Sequence, residues 1–168
     1  MPKDSSALPP PDGKGAEDIR WLTPEEKDAW TVLVSIMLLL PGRLESPLQS
    51  HAGLTLFEYL ALSHISDAPD RRLRMSELAF LANGSLSRLS NVVKRFEQRG
   101  WVERSPDPTD GRFTIAALTD SGYDVVVAAA PTHLRAVREF VLDPLNDADR
   151  RALVRIANKM RIRPTEFG

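Results

Sequence analysis

A succession of short elements between Arg72 and Leu118 constrains the fold of this 168-residue chain more than any other feature. The stretch RRLRM has room for one small strand, and a short helix capped by Ser76 follows it. Asn83-Gly84 then makes a tight turn before a longer helix. The segments WVERS and RFTIAAL have strand character on either side of a further turn. This order predicts a winged helix-turn-helix over about residues 54–118.

The longer helix, SLSRLSNVVKRFEQRG, has the two faces that a DNA-reading helix needs. Its apolar stripe is expected to face the core and consists of Leu86, Leu89, Val92 or Val93, and Phe96. Its candidate DNA contacts are Ser87, Arg88, Ser90, Asn91, Lys94 and Arg95. Arg88 is suited to pair with guanine and Asn91 with adenine, whereas Lys94, Arg95 and Arg99 come later and are expected to meet phosphates. For this helix alone, an ordinary amphipathic helix with a solvated basic face is the alternative.

The turn between the two strands reads RSPDPTDGRFT and has an arginine on each side. A hairpin beside a recognition helix is placed to direct Arg112, and with it Arg104, toward the adjacent minor groove, whose negative potential attracts arginine. Asp110 is expected to hold the hairpin, either by accepting backbone N–H groups or by pairing with a neighbouring arginine. The two prolines are expected to limit how far the arginine can move.

The charge of the chain is distributed unevenly. Between Arg71 and Arg112 there are nine Lys or Arg residues and five Asp or Glu residues, a surplus of four positive charges. Because the whole chain has a formal net charge of -1, the remainder carries -5. A basic middle between acidic flanks is typical of a nucleic-acid-binding module on an otherwise neutral scaffold.

Other classes of function find no support in the residues. The chain has no cysteine, which excludes disulfides, Cys-ligated zinc and thiol-based redox sensing. His51, His64 and His133 are separated by 13 and 69 residues, so no metal site is expected. There is no Gly-rich phosphate loop and no nucleophile with a spaced histidine and acid. We therefore predict neither an enzyme nor a bound cofactor.

The flanking segments predict further helices. Residues 1–18 are rich in Pro, Gly, Ser and charge and are expected to be a disordered tail. A first helix starts after the Thr23 cap, and Pro41-Gly42 is expected to kink or end it, with helix or turn continuing to Gly53. Its apolar run, Val32 to Leu40, is too short to span a bilayer, so no membrane partner is expected. The lack of cysteine is compatible with the reducing cytoplasm in which we expect the protein. Two C-terminal helices are expected after Thr119 and Asn146.

The stretch MSELAFLANGSLSRLSNVVKRFEQRGWVERSPDPTDGRFTIAALTDSG resembles the MarR family of bacterial transcription regulators, and a weaker likeness extends over residues 20–163. The resemblance implies a mainly α fold with a small β-hairpin, in which residues 19–168 form one MarR-like domain. Helices over about residues 23–52 and 119–163 would form a homodimer. That dimer would act, as a repressor, on double-stranded DNA with a pseudo-palindromic operator.

The resemblance also implies a small aromatic or phenolic effector that releases the DNA. Candidates to line its cleft are Trp30, Met37, His51, Tyr59 and His64. Each of these residue types is more often structural, which is the alternative for each position. Two other functions stay open for the whole chain: an architectural, loosely specific DNA-binding protein, and a winged helix used as a protein-interaction module.

Overall fold

The structure, a computed structural model, describes residues 20–160. The expected N-terminal tail, residues 1–18, and the last three residues of the expected C-terminal helix lie outside the described residues. Within residues 20–160, six α-helices and three strands follow in the order α1 (Pro24–Ala52), α2 (Leu56–Asp67), β1 (Arg72–Arg74), α3 (Met75–Leu81), α4 (Leu86–Gln98), β2 (Val102–Pro106), β3 (Thr114–Leu118), α5 (Asp120–Val137) and α6 (Asp147–Lys159). The strands form one antiparallel sheet in the order β1-β3-β2. This is the predicted mainly α winged helix-turn-helix fold, with β1 added to the hairpin.

Contacts within the chain divide it into two compact units, with the boundary between Met37 and Leu38. In the first unit, the Thr23 hydroxyl accepts the Glu26 N–H at 3.2 Å and the Thr23 N–H donates to the Glu26 carboxylate at 2.9 Å. This reciprocal pair is the capping box that fixes the start of α1. Along the first unit, Trp30 and Met37 are about half exposed.

Helix α1 does not end at Pro41-Gly42, so that alternative is wrong. The helix contains both Pro41 and Pro47 and ends at Ala52, before Gly53 with φ of 64°. Each proline removes one backbone N–H donor, but the remaining backbone hydrogen bonds keep the helix continuous through both positions. With 29 residues, α1 is long and apolar enough to cross a membrane by length and composition. The expectation that this apolar segment is too short to span a bilayer is therefore wrong for the helix that contains it. One such helix near the N-terminus is weak evidence for a membrane span.

The core of the second unit is built around α2, α4 and the sheet. Four of the five predicted stripe positions of α4 are buried: Leu89, Val92, Val93 and Phe96. Leu86, in contrast, is 53% exposed. It is the first residue of the helix and lies at a groove beside the hairpin rather than over the core, so its predicted burial is wrong.

The connections around α3 depend on two local features. Ser76 is not the cap, because α3 begins at Met75 directly after β1 and Arg74 occupies the cap position without a side-chain hydrogen bond. At the turn after α3, Asn83 has a φ of 52°, a left-handed conformation that asparagine tolerates. A Cβ on Gly84 would lie 2.5 Å from Cε2 of Phe57, so a larger residue at this turn would require the Phe57 ring to move.

The C-terminal helices begin where their caps predict. The Thr119 hydroxyl accepts the Gly122 N–H at 3.1 Å, and the Asn146 side chain accepts the Asp149 N–H at 3.0 Å. Helix α5 continues past Pro131 and is followed by one π-helical turn, Arg138–Leu142. None of the residues of α6 is buried, so its apolar stripe is unused in the described chain.

Candidate nucleic-acid interface

The outer face of α4 is open to solvent over its first turns. Ser85 precedes the helix, and its hydroxyl accepts the Arg88 N–H at 3.2 Å, which caps the helix. Ser87 and Asn91 are exposed, as is Lys94 one turn later. The buried stripe on the opposite side holds the helix against the core. Short polar side chains and a cation are therefore presented outward, as contact with base edges and phosphates requires.

Arg88 lies on this helix but its side chain is not free. Its guanidinium carbon lies 4.1 Å from the centre of the Phe57 ring, in a cation–π contact. Phe57 is 8% exposed and also packs against the Gly84 turn.

Arg95 is an anchor between α4 and α2. Its Nη2 donates to Oε1 of Glu58 at 2.6 Å, and the second oxygen of Glu58 accepts the Thr55 N–H at 2.9 Å. Burial raises the pKa of Glu58, but the hydrogen bonds from Arg95 and Thr55 outweigh it, and the net pKa is lowered. The carboxylate therefore stays ionised and fastens the recognition helix to α2.

Arg104 lies on β2 near the last turn of α4, away from the tip of the hairpin. Its Nη2 donates to the Glu97 carboxylate at 2.6 Å. This hydrogen bond lowers the pKa of Glu97 and raises that of Arg104. The pair joins α4 to the wing, the β2–β3 hairpin.

The tip of the wing carries Arg112 beside Asp110. Oδ1 of Asp110 accepts the Arg112 backbone N–H at 3.1 Å, and Oδ2 accepts Nη2 of the same residue at 2.7 Å. Both contacts expected of Asp110 are thus present, and the hydrogen bonds from Arg112 lower its pKa. The Arg112 side chain remains 85% exposed. The carboxylate orients the guanidinium without burying it.

A groove of about 240 Å³ lies between the starts of α3 and α4 and the wing. It is lined by Met75, Ser76, Leu86, Ser90, Arg104, Arg112, Phe113 and Thr114. It brings three of the predicted site residues, Ser90, Arg104 and Arg112, to one surface. The groove therefore joins the start of the recognition helix to the wing, and Arg104 and Arg112 are its two cationic lining residues.

A buried carboxylate at the root of the wing tip was missed by the sequence reasoning. The Asp107 side chain is 5% exposed, and its Oδ2 accepts Nε of Arg74 at 2.6 Å. Its Oδ1 accepts the Thr109 N–H at 2.8 Å and the Thr109 hydroxyl at 2.7 Å. The hydrogen bonds from Thr109, followed by that from Arg74, lower the pKa of Asp107 to about 2. The Asp-x-Thr spacing was a readable sign of this turn.

The expected effector residues are not gathered in one place by the contacts of the second unit. Tyr59 is buried, and its ring centre lies 4.6 Å from that of His133 on α5. His51 is exposed and its Nδ1 lies 2.9 Å from the Pro47 carbonyl oxygen, while His64 is half-buried. Burial lowers the pKa of His133, and its buried Nδ1 has no hydrogen-bond partner among the described residues. His133 is therefore the polar group beside Tyr59 that sequence reasoning passed over.

Within residues 20–160, no cluster of three His, Cys, Asp or Glu side chains could hold a metal ion. The fold, the outward polar face of α4 and the exposed arginine of the wing define a winged helix-turn-helix DNA-binding protein. Comparisons with known proteins narrow this class. Residues 52–112 match the model of the MarR family.

Two solved structures from Streptomyces coelicolor extend the likeness over most of the chain. The MarR family regulator Sco3205, solved in complex with DNA, is 40% identical, with 86% of this chain and 90% of that chain covered and a TM-score of 0.80. The MarR family regulator AbsC is 36% identical, with 86% and 100% covered and a TM-score of 0.77. The chain belongs to the MarR family of transcriptional regulators.

Curated relatives match over shorter stretches. The transcriptional repressor NicR of Pseudomonas putida is 35% identical over 72 residues, 43% of this chain and 45% of the repressor. The uncharacterised regulator YdcH of Bacillus subtilis is 36% identical over 55 residues, 33% of this chain and 37% of that protein. The chain thus spans less than half the length of these two relatives. The relatives and the family are transcription regulators, which agrees with the prediction that this chain is not an enzyme.

Proposed function

We propose that this protein is a sequence-specific transcriptional repressor that binds a pseudo-palindromic operator as a homodimer. The observation that carries the proposal is the exposed polar face of α4 beside the wing, whose Arg112 is held by Asp110 and is 85% exposed. The DNA complex of the 40% identical Sco3205 supports the same partner. In this proposal residues 54–118 form the DNA-binding part, and helices over about residues 23–52 and 119–163 form the dimer.

The roles of the individual side chains follow from where they lie. We assign Ser87, Ser90 and Asn91 to the major groove, because they lie in the first turns of α4. Lys94 is assigned to phosphate and Arg112 to the minor groove. Arg88 reads a base after leaving Phe57. Arg95 and Arg104 act mainly through their carboxylate partners, which fix α4 and the wing.

Exposed apolar surface supports the homodimer in each unit taken separately. In the first unit Trp30, Val32 and Ile36 are 50–60% exposed. In the second unit Leu153, Val154 and Ile156 of α6 are 46–62% exposed. Side chains of this kind, repeated along a helix, call for a partner surface, and a second copy provides it symmetrically.

Repression and its release are the finer part of the proposal. NicR, a relative by part of its length, is a repressor. We further propose that a small aromatic or phenolic effector releases this protein from DNA and that Tyr59, with His133 beside it, contacts it. The phenol and the unpartnered imidazole nitrogen are suited to hydrogen-bond such a molecule. A regulator of this kind acts in the cytoplasm, where the bacterial chromosome lies.

The test is selection of bound fragments from a genomic DNA library, repeated with Asn91→Ala and Arg112→Ala. We expect the wild-type protein to enrich one two-fold motif, with half-sites roughly 34–36 Å apart along the duplex. Asn91→Ala should change the preferred bases, whereas Arg112→Ala should weaken binding to all fragments and flatten its salt dependence. Enrichment of no motif over random duplex would favour the architectural function, and binding to no DNA would favour the protein-interaction module.

A further inference from the structure

We infer that four residues of the wing and of β1 form a clamp that sets the direction in which Arg112 is presented to DNA. The wing clamp consists of Arg74, Asp107, Thr109 and Phe113. The inference rests on the DNA-binding function proposed above, and it adds positioning residues that do not themselves belong to the DNA-contacting set.

Arg74 reaches across the sheet from its far edge. It is the last residue of β1, which pairs with β3, whereas Asp107 follows directly after β2. The strand order β1-β3-β2 means that the arginine must pass over β3 to reach Asp107. Its guanidinium carbon lies 4.6 Å from the centre of the Phe113 ring, just before β3, while Nε bonds to Oδ2 of Asp107 at 2.6 Å. One side chain therefore ties both sides of the wing tip to β1.

The carboxylate in the clamp is placed for structure rather than for contact with DNA. The wing around it is largely exposed, yet Asp107 is 5% exposed and both of its oxygens accept hydrogen bonds from the protein. The Asp107 N–H also donates to the Phe113 carbonyl at 2.9 Å, the rung that closes the tip. A buried, fully engaged carboxylate here fixes the loop from residue 107 to residue 113, and Arg112 lies within that loop.

The clamp connects the wing directly to the first helix of the helix-turn-helix. Arg74 directly precedes Met75, the first residue of α3. The orientation of the wing tip therefore depends on the position of the start of α3 as well as on the hairpin itself. Arg112 and the outer face of α4 must meet neighbouring grooves of the same duplex, so their relative direction bears on affinity.

The opposite signs of two effects make the inference testable with Asp107→Asn. Asparagine has the same shape and still accepts from Thr109, but its amide turns a donor toward Nε of Arg74. Removing a negative charge near DNA should by itself tighten binding. If the clamp positions Arg112, Asp107→Asn should instead weaken binding about tenfold. Glu103→Gln, which removes an exposed carboxylate from β2, is the matched control and should bind as tightly as wild type or more tightly.

The experiment is a fluorescence anisotropy titration of a labelled duplex carrying the best site recovered by selection, with melting temperature and oligomeric state measured for every variant. In an Arg112→Ala background, Asp107→Asn should change the affinity by less than about twofold, since the residue it positions is gone. Arg74→Lys keeps the charge but loses the planar fork, so it provides the same double-mutant cycle if Asp107→Asn does not fold.

The outcomes separate the clamp from the function on which it rests. If the wild-type protein binds the selected duplex and Asp107→Asn binds it equally or more tightly, the clamp alone is overturned. A loss of affinity that persists unchanged without Arg112 would also overturn it, because Asp107 or Arg74 would then act by another route. If the wild-type protein bound neither the selected duplex nor random duplex, the proposed function would fail and the inference with it.

Discussion

The Glu58 carboxylate on α2 lies 2.6 Å from the guanidinium of Arg95 on α4, and this ion pair fastens the recognition helix to the core. The same carboxylate closes the capping box of α2 with Thr55. Glu58 is buried, with its side chain 11% exposed, whereas half of Arg95 remains in solvent. One residue thus fixes both the start of a core helix and the orientation of α4, the helix to which the DNA contacts are assigned.

Replacing Glu58 by Gln should lower the free energy of unfolding by about 1–2 kcal/mol at neutral pH, because the charge-assisted bonds are lost while half-exposed Arg95 is rehydrated. The folded-state pKa of Glu58 lies below its ordinary value of 4.5. Its contribution is therefore fully present above pH 4.5 and is lost as the pH falls through the lowered pKa. Urea unfolding at several pH values measures this. A difference in the free energy of unfolding between wild type and Glu58→Gln that stays constant down to pH 3 would contradict this. Glu103→Gln, at an exposed position, is the control.

Arg88→Ala should relax the base preference at one position of each half-site by about 1–3 kcal/mol. The reason is that Arg88 lies in the first turn of α4, among the residues assigned to the major groove. Selection with each base at every position measures this, and Lys94→Ala, at a position assigned to phosphate, should weaken binding to all sequences alike. If Arg88→Ala lowered stability but left every base preference unchanged, its role would be the stack on Phe57.

Gly122→Ala should destabilise the fold by about 1–3 kcal/mol. A Cβ at this position would clash with the Trp101 carbonyl oxygen and come within 2.8 Å of the Leu118 side chain. That carbonyl also accepts the Thr119 N–H at 3.0 Å, so α5 would be pushed from its own start. Gly42→Ala is the control: nothing lies within 4 Å of its Cβ, and inside α1 it should be neutral or stabilising by about 0.5–1 kcal/mol. Equal unfolding midpoints for Gly122→Ala and wild type would refute the clash.

Because of His133, the free energy of unfolding should decrease as the pH falls below about 6.5. Burial holds its folded-state pKa below the ordinary 6.5, so the unfolded chain binds more protons once the pH drops below about 6.5. Stability is then complete above that value and declines toward the lowered pKa, by up to about 1.4 kcal/mol per pH unit. His133→Phe should remove this slope between pH 6.5 and 5, whereas His51→Gln, at an exposed position, should keep it. The same slope in wild type and His133→Phe would show that another group is responsible.

The elements that the sequence predicted well are those with a local chemical signal. Thr119 and Asn146 each have a side-chain oxygen at the start of a periodic segment, which predicts a helix cap, and α5 and α6 begin directly after them. The hairpin was readable from its prolines and Asp-Gly. Ser76 failed because β1 pairs with β3, a contact distant in sequence, and this pairing brings the start of α3 forward to Met75.

The sequence predicted which elements carry the candidate site residues, but not which partners their side chains contact. Arg88, Arg95 and Arg104 were placed on the right elements, yet their partners Phe57, Glu58 and Glu97 are packed against them by the fold, and sequence spacing does not reveal this. Asp110 and Arg112 were readable together because they are two residues apart. The Arg74–Asp107 pair spans 33 positions and crosses a strand, so only the folded sheet brings it together.

The central claim is that this protein distinguishes one DNA sequence from others, and a competition titration tests it most directly. Wild-type protein bound to a labelled duplex carrying the selected site is challenged, at one fixed salt concentration, with that site and with a scrambled duplex of the same composition. We predict that the selected site competes at least about 10³-fold better than the scrambled one. Equal competition by the two duplexes would contradict sequence-specific regulation by this chain.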